Sequence, residues 1–182
     1  MNCGFVILIE AEGQPLIKST YIRCMQNQIT FQFISEPGDV NYGGKVHGGA
    51  VMKWIDQTAY ACASSWAEGY AVTVYVGGIR FFKPIQIGDL VKVSARVVHT
   101  GTTSMHIACD VFSRPITGEK YQKTTHCIIV FVAVDENEKT KTVKKWEPHT
   151  DRELAQQKYA MRLMDLRKGI EEEMKPFLED YF

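Results

Sequence analysis

The chain has 182 residues, of which 45% are hydrophobic and 23% charged, a balance that suits one globular domain with a real core and excludes a disordered polymer. Its 21 basic and 21 acidic side chains give a formal net charge of +0, so no global field draws it to nucleic acid or to a membrane surface. Five scattered cysteines (Cys3, Cys24, Cys62, Cys109, Cys127) form no CxxC pair, which fits reduced thiols in a cytoplasmic setting rather than a disulfide framework or a zinc site.

The run CGFVILI lacks a basic flank and a small-residue cleavage pattern, so it is not read as a signal peptide, and no segment approaches the length of a membrane span. Two apolar runs around the turn EGQP predict a hairpin within FVILIEAEGQPLIKSTYI, with residues 1–20 an N-terminal extension. NQITFQFI alternates, with Ile29, Phe31 and Phe33 on one side of a half-buried strand. SEPGDVNYGG is a loop of turn formers, and a helix follows from Gly48 to Trp66, stopping near Gly69. Thereafter the period is two. AVTVYVGGIRFF is a strand in which Gly77-Gly78 marks a bulge or a close backbone approach. LVKVSARVVH and TSMHIACDVFS pair as a hairpin through Thr100–Thr102, and KYQKTTHCIIVFVAVD is the longest strand. A last helix opens on a capping box, Thr150 with Glu153, and carries Tyr159, Leu163, Leu166, Ile170, Met174 and Phe177 at helical spacing. Pro176 is expected to end or bend it, and packing against its own sheet or a neighbouring subunit is its expected role. The layout is α+β: one domain over 1–149 and a helical extension over 150–182.

Asp56 is the residue that chemistry singles out. On a helical wheel Met52, Ile55, Ala59, Ala63 and Trp66 form an apolar stripe, Asp56 falls within it, and so much of the rest is apolar that burial on most faces is expected. A carboxylate there is costly unless compensated. Either it is structural, bonded to backbone or paired with Lys53 or Arg80, or it is a general base or nucleophile in surroundings that raise its pKa. Just upstream, NYGGKVHGG delivers four glycines into a helix N-terminus, where unpaired N–H groups favour a developing negative charge. That is oxyanion-hole physics at Gly48 and Gly49, without the spacing of a dinucleotide fingerprint or a Walker loop. Asn41 offers an amide to a carbonyl or a water; His47 is either catalytic or a capping residue.

The pattern N-x-x-G-x-V-H-G-G (Asn41, Gly44, Val46, His47, Gly48, Gly49) followed by the mid-helix Asp56 resembles the hotdog-fold acyl-CoA thioesterases. The downstream V-x-V strand, the bulge, the F-x-x-P-x-x-x-G-D turn and the G-T-T-S hairpin are similar as well, so the resemblance covers roughly residues 27 to 135. It implies an antiparallel sheet wrapped around a central helix, and protomers that pair their sheets as a homodimer, often grouped into a homohexamer as a trimer of dimers. It implies an active site at the dimer interface, with Asp56 as general base or nucleophile, Asn41 positioning water or carbonyl, and the Gly48 and Gly49 amides holding the oxyanion. The implied reaction is hydrolysis of acyl-CoA to a carboxylic acid and coenzyme A, within fatty acid metabolism. A thioester is already activated, so this needs no catalytic triad, cofactor or metal. The coenzyme A end calls for cations and polar hairpin tips, for which Arg80, Lys83, Arg114, Lys120, Lys123, Thr102, Thr103 and Ser104 are candidates. Two rivals stand beside this reading. GDVNYGGKVH faintly resembles the signature of hotdog enoyl-CoA hydratases, although Tyr42 replaces its proline and His47 lies too far from Asn41. A non-catalytic acyl-CoA-binding protein is the other.

Overall fold

A computed structural model of the chain describes residues 27–179; the hairpin expected near the start, Cys3 and Cys24 lie outside them. Period-two segments become the strands β1 (Gln28–Ile34), β2 (Ala71–Phe81), β3 (Leu90–Thr100), β4 (Ser104–Arg114) and β5 (Gln122–Ala133). They form one antiparallel sheet in the order β1-β3-β4-β5-β2, with α1 (Gly48–Ala67) inserted between β1 and β2 and α2 (Asp151–Glu179) after β5. The connection through α1 sends β2 to the edge opposite β1, so the sheet curls around the helix.

Alternation sorts the side chains onto two faces. Val91, Val93, Ala95 and Val97 of β3, Ile107 and Cys109 of β4, and Ile129 and Phe131 of β5 meet Val51, Ile55, Ala59 and Cys62 of α1 in the main core. Each such aliphatic or aromatic side chain, fully buried, contributes roughly 1.5–3 kcal/mol. The next residues along, Val98, Ala108 and Ile128, point to the other face and meet Ala160 and Leu163 of α2. The C-terminal helix therefore packs on its own sheet. Burial pushes the Cys62 thiol up to about 12, and Cys109, paired across the ladder with Cys127, is also raised, by its contact with that neighbour and by burial. These three thiols are free and buried, as inert core residues.

One local expectation holds and one does not. The bulge expected at Gly77-Gly78 is present, with Gly78 at φ 59°, and the strand is irregular a second time between Thr73 and Tyr75. A Cβ on Gly78 would sit 3.2 Å from Leu163 Cδ1, so glycine here serves both the left-handed backbone and the seat of α2. Pro176, by contrast, does not end α2, which continues to Glu179. The proline removes one helical bond in a fully exposed stretch, where water satisfies the freed carbonyl.

The outer face also carries a buried acid outside any reading made from sequence. Asp110 accepts hydrogen bonds from Arg96, from Lys123 Nζ at 2.6 Å and from His126 Nδ1 at 2.7 Å. Burial alone would raise its pKa, but the bonds from His126 and Lys123 and the charge of Arg96 outweigh that and hold it well below the usual carboxylate range. Asp110→Ala leaves those cations unpaired. With Lys123 partly exposed and screened, the expected loss is about 3 kcal/mol, measured by denaturant unfolding at pH 7. Because the folded pKa is depressed, this contribution is complete above the unfolded value of about 3.9. It is lost as pH falls toward the folded value, so the gap between parent and variant closes in acid.

Candidate functional site

The loop before α1 is built by its own backbone. Val40 bridges Val46, Asn41 N–H donates to Lys45 O at 2.7 Å, and Gly44 N–H donates to Asn41 O at 3.0 Å. Of the loop's four glycines, only Gly44 takes a positive φ, at 74°. Gly48 and Gly49 are instead the first helical residues, and glycine at 49 has another use: a Cβ there would crowd His47 Nδ1 at 3.1 Å. That ring nitrogen accepts from Ala50 N–H at 2.9 Å, so His47 is the N-cap of α1. With Ala50 and Val51 bonded to His47, the N–H groups of Gly48 and Gly49 are left unpaired and exposed among the described residues.

Asn41 is committed on one side only. Its Oδ1 accepts from Gly43 N–H at 2.8 Å and Lys45 N–H at 3.1 Å, which fixes the amide orientation and leaves the Nδ2 donors facing outward. Beside this loop, Val46, Gly48, Val51, Phe81, Lys83 and Thr125 are among the walls of a cavity of about 350 Å³. Thr125 is 1% exposed, and its hydroxyl has no hydrogen-bond partner among the described residues.

Asp56 is not buried within the chain, contrary to the wheel. The buried line of α1 runs through Val51, Ile55, Thr58 and Cys62, so its centre lies one residue away from the Met52 line. Met52 is 47% exposed and Asp56 sits on that same flank, facing out beside β2. There Thr73 Oγ1 donates to Asp56 Oδ1 at 3.0 Å, and Asp56 shares the walls of a largely apolar cleft of about 280 Å³ with Met52, Lys53, Ile55, Val76, Ile79 and Ile129. Neither Lys53 nor Arg80 pairs with it among the described residues. Thr73 went unnoticed in the sequence because alternation alone marks it only as one of several polar strand residues.

Helix geometry then separates the two halves of the chemistry. Gly49 and Asp56 are seven positions apart, which at 1.5 Å per residue is about 10 Å along one rigid axis. The Asp56 carboxylate and the unpaired N–H groups of Gly48 and Gly49 therefore stand well apart along the helix.

The candidates for a coenzyme A site fall into two groups. Arg80 is exposed, stacks over Phe82 near the cavity at Gly48, and has no carboxylate partner among the described residues. Lys83 reaches Gln122 Oε1 at 2.8 Å. Arg114 instead donates to the carbonyls of Pro115, Ile116 and Gly118, holding the β4–β5 turn, and Lys123 is bound to Asp110. Thr102 and Thr103 at the β3–β4 tip accept from Val143 N–H and Ala133 N–H through their carbonyls, and Ser104 borders a separate cavity under α2. Among the described residues no group of three His, Cys, Asp or Glu could hold a metal, and no helix is long and apolar enough to cross a membrane.

With this geometry in hand, known proteins supply the comparison. Residues 43–119 match the model of the thioesterase superfamily. The acyl-CoA thioester hydrolase YciA of Escherichia coli K12 is 36% identical over 122 residues, 64% of this chain and 91% of that protein. An apo-hexameric acyl-CoA thioesterase superposes with TM-score 0.75 at 30% identity, over 79% of this chain and 92% of the other. An acyl-CoA hydrolase from Staphylococcus aureus, solved with butyryl coenzyme A and coenzyme A, gives 0.77 at 27% identity over 84% and 93%. That hydrolase has also been solved with an aspartate, an asparagine and a threonine each replaced by alanine.

Proposed function

The chain belongs to the thioesterase superfamily, as a hotdog-fold acyl-CoA thioesterase, and from that premise we propose that it hydrolyses acyl-CoA at sites shared between two protomers, with Asp56 of one and the α1 N-terminus of the other. Water attacks the thioester carbonyl while the Asp56 carboxylate takes its proton. Thr73 holds Oδ1 and leaves Oδ2 for that water. The carbonyl oxygen becomes an oxyanion held by the N–H groups of Gly48 and Gly49, and Asn41 Nδ2, whose oxygen partner is already committed, adds a third donor. Collapse breaks the C–S bond, and the proton passes from Asp56 to the departing thiolate, giving coenzyme A and the free acid.

The observation that carries this reading is the Asp56–Thr73 hydrogen bond at the open β2 side, about 10 Å from its own helix N-terminus. Spacing supports it. In the S. aureus hydrolase the altered asparagine, aspartate and threonine stand 15 and 17 residues apart, the separations of Asn41, Asp56 and Thr73 here. Among the described residues the edge strand β2 has an unpaired ladder with Val74, Val76 and Phe81 exposed, so two copies pair there and bury the cleft. Three such dimers make the homohexamer that the relatives' hexameric state suggests. Arg80 is the best-placed cation for the coenzyme A phosphates.

A panel of acyl-CoAs of rising chain length, read with a thiol-detecting reagent, tests the activity. Crotonyl-CoA is the informative member. Thiol release is the expected result; hydration of its double bond without free thiol would instead identify a hydratase.

A further inference from the structure

Under α2 the outer face of the sheet is incompletely covered. A cavity of about 380 Å³ lies there, walled by Val74, Val130 and Val132 of the strands and by Leu163 and Met164 of the helix. The same helix carries apolar side chains that none of the described residues covers: Leu166, Ile170, Met174, Phe177 and Leu178 are all about half exposed or more. We propose that the distal turns of α2, from Ile170 to Leu178, dock on a second copy of this chain, filling the cavity beside the partner's α2.

Length and direction point to this occupant. At 29 residues α2 is about 43 Å long, whereas the three strand intervals from β3 to β2 span about 14 Å. Ala160 and Leu163 rest over β3, β4 and β5, and Arg167 then stacks on Tyr75 of β2 with 4.4 Å from guanidinium carbon to ring centroid. The helix thus leaves the sheet across the β2 edge, and residues 172–178 are exposed throughout. This inference rests on the pairing of two β2 edges proposed above. A two-fold axis at that seam carries each helix end over the outer face of the other protomer, next to Val74 and the cavity.

Charge and size fit the same arrangement. In an antiparallel pair whose axis passes beside Ile170, Leu166 of one helix faces Met174 of the other. Lys168 then faces Glu172, and Arg167, which also pairs with Glu171 of its own helix, faces Glu173. Gly169 has open space where a Cβ would stand, and so permits close approach of the two helices at the crossing.

Disulfide trapping in the full-length protein tests the proposal. The double variant Val132→Cys/Phe177→Cys should form a covalent dimer on mild oxidation, at least about tenfold faster than either single variant, because docking raises the local thiol concentration. Adding Arg167→Glu and Lys168→Glu should slow that cross-link, and Glu172→Lys with Glu173→Lys in the same chain should restore it. Sedimentation of the parent separates the two ideas. A dimeric or hexameric parent whose double variant yields no covalent dimer, or only an intrachain disulfide, overturns the docking and leaves the edge pairing intact; a monomeric parent overturns both.

Discussion

Asp56→Ala is expected to lower kcat for acyl-CoA hydrolysis by about 10³-fold, within the ~10²–10⁴-fold range of a positioned general base, while coenzyme A binding and the melting temperature stay near those of the parent. Stability is spared because Asp56 is exposed in the chain and makes one hydrogen bond, to Thr73, so its removal strands no buried charge. This contrasts with Asp110, the buried acid, whose loss unfolds the protein more readily and touches no proposed reacting atom. The two carboxylates therefore give opposite phenotypes, one kinetic and one thermodynamic, and the pair acts as its own control. Thr73→Val should give a smaller kinetic loss, because the base remains and only its orientation relaxes. In a single turnover in ¹⁸O-water, label in the protein identifies an anhydride that water opens at Asp56, whereas a general base leaves the protein unlabelled and puts the label in the product acid. Undiminished turnover by Asp56→Ala removes this residue from the mechanism.

The fold was largely legible because its signals are local. Alternation marked the strands, Gly77-Gly78 marked a bulge, and Thr150 with Glu153 marked the start of α2, where Glu153 Oε2 accepts from Thr150 N–H at 3.0 Å and Glu153 N–H donates to Thr150 Oγ1 at 3.2 Å. The candidate site was legible in residue type more than in environment. A wheel locates Asp56 relative to an apolar stripe, but the stripe of α1 is broad, and which line through it faces the sheet depends on how the helix is rotated in its packing. That is a tertiary choice, and it moved Asp56 from an expected interior to a flank. Arg114 and Lys123 carry the opposite lesson. A cation's availability depends on partners distant in sequence or on turn carbonyls, neither of which composition reveals. The Asp56–Thr73 contact joins residues whose pairing follows only from β2 running beside α1.

Asn41→Ala should lower kcat about 10²-fold and change KM by no more than about twofold, the signature of a donor that acts mainly on the developing oxyanion. The reason lies in the turn. Because Asn41 Oδ1 already accepts from the N–H groups of Gly43 and Lys45, rotation of the amide is blocked and Nδ2 is held in place before substrate arrives. Preorganised donors of this kind favour the transition state over the ground state, so their loss falls on kcat. Alanine removes both the donor and the two turn bonds, so a purely structural role for Asn41 has to be separated from a chemical one. Asn41→Asp keeps a side-chain oxygen for Gly43 and Lys45, and with it the turn, but replaces the donor by a carboxylate beside an incipient negative charge. If Asn41 acts on the oxyanion, the aspartate variant folds as the parent does and is slower than the alanine variant. If Asn41 only shapes the loop, the aspartate variant recovers activity, and a rise in KM alone would recast the residue as a binding group.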